Sequence, residues 1–290
     1  MSDTTVIQSK SQMSEVWRRF KKNRFAVAGL IVLSAVMLVA IFAPIILDYD
    51  TDVIGQDLNN RLQPPSWEHP MGTDNFGRDI FSRVLYGSRV SLIIGFTAVG
   101  ISLAIGGLIG VVSAYFGKWW DSILMRIMDV LLAVPGTLLA IAIVAALGPG
   151  MVNLVIAMTI SFIPSYARLL RSLVLPIRDM EYIDAARVTG IKVPRIIMAH
   201  ILPNTMGPIL VQSTLAVGRI IIVAAGLSFL GLGILPPSPE WGAMLSEGRD
   251  FMRNDPYIVL FPGLAIMVTV LALNLLGDGL NDALDPRLNN

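Results

Sequence analysis

The sequence predicts an all-α protein that crosses a membrane six times, and three observations carry that prediction. Hydrophobic residues form 54% of the 290-residue chain and charged residues only 15%, whereas soluble domains hold about 25% charged residues. The apolar residues gather in continuous runs of about 20, the length that carries a helix across a hydrocarbon core roughly 30 Å thick. The runs are unbroken rather than alternating, so they suit helices, whose backbone hydrogen bonds close within the segment, and not barrel strands.

Residues 1–24 are polar and end in a basic cluster of Arg18, Arg19, Lys21, Lys22 and Arg24. Within them, Ser14 to Phe20 mixes apolar with basic side chains after a serine suited to an N-cap, as in a helix lying at a membrane interface; a simple cytoplasmic anchor fits equally well. The apolar run that follows is too long for a signal peptide and lacks a small-residue cleavage site, so it reads as a retained first span. The six spans run from Phe25 to Leu47, Val90 to Phe116, Ile123 to Leu147, Met151 to Leu170, Pro208 to Gly233 and Tyr257 to Gly277. This divides the chain into an N-terminal segment 1–24, a transmembrane domain 25–277 and a tail 278–290.

Three connections are long: 48–89, 171–207 and 234–256, while Gly148-Pro149-Gly150 makes a minimal hairpin. Pro135, Pro164 and Pro262 each remove a backbone donor inside a span and predict bends. Gly106-x-x-x-Gly110 predicts a flat face for close helix approach. With the N-terminus in the cytoplasm, 15 basic residues, Lys10 and Arg287 among them, fall inside and 6 outside; the positive-inside bias therefore places both termini in the cytoplasm.

Enzymatic chemistry finds little support. The chain has no cysteine and only two histidines, His69 and His200, so an HExxH zinc-protease site is excluded and a multi-histidine metal site is not expected. Gly117-Lys118 lacks the glycine and hydroxyl partners of a phosphate-binding loop, and no G-x-S-x-G elbow occurs. No catalytic or metal-binding residue is expected, and His200 is expected to cap or pack a loop helix. Two charges fall within spans. Asp129, near a span end, reads as structural, reaching the interface or pairing with Arg126. Arg219 lies deeper and must face a cavity, a carboxylate or another chain, so it is a candidate for a pathway lining or for inter-subunit packing.

The connection 171–207 contains Glu181-Tyr182-Ile183-Asp184-Ala185-Ala186-Arg187-Val188-Thr189-Gly190-Ile191-Lys192-Val193-Pro194. It reads as helix, turn, helix: Asp184 near a start, Gly190 as a left-handed stop and Pro194 in the next first turn. The spacing resembles the cytoplasmic EAA loop of ATP-binding cassette importer permeases, with Asp184-Ala185-Ala186, then Gly190, then Leu202-Pro203 at the expected distance. Asp184 stands for the usual glutamate and keeps its charge, and His200 stands for the usual isoleucine. Gly72 to Asp79, Ser82-Arg83, Leu227 to Gly233, Pro236 to Gly242 and Gly277 to Arg287 extend the likeness over essentially the whole chain. Together they are similar to the second permease of dipeptide, oligopeptide and nickel importers.

That resemblance implies a type I importer permease fold, with Asp184, Ala185, Ala186, Arg187, Gly190, Leu202 and Pro203 forming the surface that couples to ATPases. It implies a homologous second permease, two cytoplasmic ATPase subunits and an extracytoplasmic binding protein as partners in the inner membrane. No cofactor is expected on this chain, since ATP and magnesium would sit on the ATPases. Alternating access for peptides is the implied activity; nickel chelates, other small solutes and a secondary transporter working without an ATPase are the alternatives. The 48–89 connection is expected either to dock the binding protein or to pack on the second permease.

Overall fold

The computed structural model describes residues 12–284; Lys10 and the closing Asp285-Pro286-Arg287 lie outside that range. Among the described residues the regular structure is helical, apart from one isolated bridge between Thr73 and Asp79. Helix α1 (Gln12–Lys22) begins before Ser14, so Ser14 lies in the first turn and is not the cap expected of it. Phe20 buries itself against Ala26 and Ala283, while Trp17 is half-exposed with the Lys21 ammonium over its ring. Helix α2 (Arg24–Ile46) starts at Asn23, whose side-chain oxygen accepts from the amides of Phe25 and Ala26 at 3.1 Å.

Helix α3 (Ile80–Phe116) begins ten residues before the expected Val90. The charges at Arg83 and Arg89, which end the apolar run, belong to the same helix because Asp79 caps it, accepting from the Ser82 amide at 2.8 Å. The third expected span is two helices, α4 (Lys118–Leu132) and α5 (Gly136–Leu147), bent by 82° at the break before Pro135. Proline has no amide to donate and disfavours helical geometry at the residue before it. Helix α6 (Met151–Arg178) continues through Pro164 and Pro176.

The register between α3 and α6 settles what the broken pair does. Ser102 donates to the Thr159 carbonyl at 3.0 Å, and further along a Cβ on Gly106 or Gly110 would collide with the carbonyls of Ile163 and Ala167. Both helices therefore run the same way, at backbone contact. Between them the chain has to return to the opposite face, so α4 and α5 form one broken crossing rather than a re-entrant loop.

Beyond α6 come α7 (Glu181–Val188), α8 (Val193–Ile196), a π-turn at Ile197–Ile201 and α9 (Leu202–Phe229). Short α10 (Trp241–Gly248) precedes α11 (Tyr257–Leu284), which passes through Pro262 and runs beyond the expected end at Gly277. Gly207 lies beside Leu284 and Gly218 beside Val270, so α9 and α11 are antiparallel; Ala26 beside Gly279 sets α2 against α11 in the same sense. One face thus gathers α1, the α3–α4 turn, the α6–α9 connection and the end of α11. The other gathers residues 47–79, the 148–150 hairpin and 230–256. Ile94, Ala98, Leu154, Met158, Ile220 and Leu273 fill the seam between helices, while Ile31, Ile41, Ile45 and Ile46 of α2 face outward. Lipid is as apolar as these side chains, so van der Waals contact and close backbone approach hold the bundle rather than exclusion of water.

Candidate functional site

The α6–α9 connection is a helix, a turn and a second helix. Gly190 takes φ +78°, a region that L side chains rarely adopt, and the Ile191 amide closes the turn on the Ala186 carbonyl at 3.1 Å. Pro194 sits in the first turn of α8. Ile183 and Ala186 are buried with Ile196 and Ile201 against Val111, Leu170 and Val174, so this unit is packed onto the ends of α3 and α6. Leu202 packs on the edge of the same cluster, and Pro203 is exposed in the first turn of α9.

The opposite side of α7 faces away from the bundle. Asp184 and Ala185 are exposed, as are Tyr182 and Val188, the latter with 89% of its surface free. Arg187 holds the unit in place: it reaches Asp184 at 2.9 Å, and its guanidinium lies 5.2 Å over the Tyr115 ring at the end of α3. Tyr115 first, and then the Asp184 carboxylate, push the Arg187 pKa up, so the contact favours the charged form. His200 meets Tyr182 edge-on, its role being packing.

Below this unit the helix ends are tied by charge. Arg171 makes a two-pronged contact with Asp121 at 2.6 and 2.7 Å, and Arg178 donates to the Ala114 carbonyl at 2.6 Å. Asp129 pairs with Arg168 at 2.6 Å, not with Arg126, because α4 lies along α6 and brings Arg168 across. Arg219 is exposed on a face of α9 that also carries Ile222 and Gly226, and it has no hydrogen-bond or ion-pair partner among the described residues.

On the other face, sequence reasoning missed a buried charge cluster. Gly72 and Gly77 both take positive φ, as turns require, and between them the chain folds so that Arg78 contacts Asp74 at 2.6 Å. Arg78 and Arg83 converge on Glu247 of α10 at 3.0 and 2.7 Å, with both arginine side chains only 1% exposed. Two cations and two carboxylates compensate one another, which burial at this depth demands. The partner Glu247 lies far along the chain, and no local pattern announces it. No group of three histidine, aspartate or glutamate side chains placed to hold a metal ion occurs among the described residues.

Comparison with known proteins accords with this architecture. The family model described as binding-protein-dependent transport system inner membrane component matches residues 106–290, and the N-terminal transmembrane domain of oligopeptide transport permease C matches residues 11–65. The chain is 49% identical over 280 residues to the dipeptide transport system permease protein DppC of Alkalihalophilus pseudofirmus, covering 97% of this chain and 91% of that one. It is 48% identical over 281 residues to the glutathione transport system permease protein GsiD of Escherichia coli, covering 97% and 92%. Among solved structures, a chain of the inward-facing MetNI methionine ABC transporter matches with TM-score 0.56 at 16% identity, covering 68% of this chain and 93% of that one, which is a likeness of fold. The chain belongs to the family of inner-membrane components of binding-protein-dependent transport systems, as the multi-pass permease component of an ABC importer.

Proposed function

We propose that this permease imports small peptides by alternating access, driven by two ATPase subunits that dock on α7 and α8. The carrying observation is the two-sided character of α7: Ile183 and Ala186 lock it to the bundle, while Ala185 and Val188 leave an uncovered apolar face on a short, water-side helix. A helix seated rigidly on the bundle transmits a push from a partner's groove to α3 and α6 instead of absorbing it, and small residues let that partner's backbone approach. In this reading Asp184, Ala185, Ala186, Arg187, Gly190, Leu202 and Pro203 are the coupling surface, and ATP and magnesium are bound by the partners.

In this reading the same face lies in the cytoplasm with both termini, as the positive-inside bias of the basic residues supports. A homologous permease completes the path, where Arg219 faces the central cavity or the second permease. A binding protein meets the opposite face, whose ordered 47–79 segment is clamped to α10 by the Arg78–Arg83–Glu247 cluster. Peptide is the favoured cargo because relatives of this similarity are named for dipeptide and glutathione transport, and glutathione is itself a small peptide.

The test is co-purification of the tagged chain from native membrane, with companions identified by mass spectrometry. Wild type is expected to bring a second permease and two ATPases. Gly190→Pro, which cannot adopt the positive φ of the turn, is expected to insert normally and keep the permease but lose the ATPases. Wild type that purifies alone, or a mutant that retains its ATPases, refutes the coupling assignment.

A further inference from the structure

A groove of about 390 Å³ opens between α2 and α3, walled by Met37, Ile41, Leu92, Ile93 and Phe96, with Arg89 at its mouth. Met37, Ile41, Ile93 and Phe96 are partly exposed, and the rest of the outward face of α2 is apolar, so the groove opens toward the hydrocarbon. One turn of a helix, about 10 Å across and 5.4 Å tall, would alone take up about 400 Å³. Close helix approach also calls for a continuous face of small residues, and apart from Ala40 and Thr97 the apolar walls here are large. The slot suits a linear chain better than a further helix.

Arg89 sets the depth and the chemistry. At the other end of α3, Phe116 is followed by Lys118 and by exposed Trp119 and Trp120, the aromatic and basic pattern of a membrane interface. Arg89 precedes Phe116 by about 27 residues, a rise of about 40 Å at 1.5 Å per residue, which matches the ~40–45 Å of a bilayer with its headgroups. Its guanidinium therefore lies at headgroup level on the far side. It is exposed and has no hydrogen-bond or ion-pair partner among the described residues. Guanidinium donates in a planar fork that fits two oxygens of one phosphate.

We propose that the α2–α3 groove is a phospholipid site, with the lipid phosphate on Arg89 and one acyl chain lying along Ile93, Phe96, Met37 and Ile41. Occupancy would fill the gap between α2 and α3 and tie the two helices together from the lipid side.

The test is native mass spectrometry of the tagged full chain with its co-purifying subunits, delipidated in detergent and titrated with phosphatidylglycerol. Wild type is expected to hold a discrete lipid adduct, Arg89→Ala to bind about tenfold more weakly, and Arg89→Lys to recover part of the loss. Ile93→Trp fills the slot without touching the cation and is expected to lose the adduct as well, so the proposal stays testable if Arg89→Ala misfolds. Equal adducts in wild type, Arg89→Ala and Ile93→Trp overturn it. Loss in Arg89→Ala with full retention in Ile93→Trp overturns the acyl-chain placement. A photo-crosslinker at Phe96 that captures a protein subunit instead of lipid also overturns it.

Discussion

Glu240 is 1% exposed, yet its carboxylate accepts from the amides of Gly242 and Ala243 at 2.9 and 2.8 Å, capping α10. Burial pushes its pKa up from the ordinary 4.5, and the two amides only partly oppose the shift. A raised carboxylate favours the folded state fully below the unfolded pKa, and that contribution is lost as pH rises through the folded one. Thermal unfolding in detergent should therefore occur at progressively lower temperature as pH rises above the ordinary 4.5 of an unfolded glutamate, and Glu240→Gln should flatten the profile; an unchanged slope in the variant removes Glu240 as its source. At Glu247 the expected effect is larger. Glu247→Ala leaves Arg78 and Arg83 with one buried carboxylate between them, Asp74, at a cost of about 3–5 kcal/mol. Adding Arg83→Met to Glu247→Ala should restore much of that loss, and a double variant no better than the single would refute the pairing.

At the scale of elements, the α3–α6 seam shows what a local motif can and cannot say. The Gly106-x-x-x-Gly110 pattern announces a flat face, but nothing in it names α6 as the partner or sets the two helices parallel. Gly106→Ala should destabilise the seam by about 1–3 kcal/mol, because backbone carbonyls cannot move aside as a flexible side chain would; a melting temperature equal to wild type would show that the helices do not touch there. The turn of the α7–α8 unit was legible, since its glycine stop and its proline act within a few residues of themselves, but the second helix is not a separate short one: it runs through the π-turn into α9, so that Val193–Phe229 is continuous. The break between α4 and α5 was legible as a proline but not as an 82° turn, which depends on where α6 waits. The early start of α3 was hidden because Arg83 looks like a loop residue until Glu247 neutralises it.

For the whole molecule, helix directions place Val188 and Trp67 on opposite faces, and both side chains are almost wholly exposed. The chain has no native cysteine, so Val188→Cys and Trp67→Cys can be labelled singly with a membrane-impermeant maleimide. Intact cells should label only Trp67→Cys, and inverted vesicles only Val188→Cys; labelling of both from one side would refute the six-crossing topology.

The sequence by itself determined the helical class, the number of crossings, the α7–α8 motif and the family likeness. These follow from the length of apolar runs and from glycine, proline and charge at short spacing, which are properties of neighbouring residues. Only the tertiary structure decided the parallel α3–α6 seam, the Arg168–Asp129 pair and the burial of Arg78 and Arg83 on Glu247. Those contacts join residues 39 to 169 positions apart, and they exist only once helix faces have met. A charge that reads as solvated in the chain becomes a buried bond when its partner arrives from elsewhere, and no local pattern carries that information.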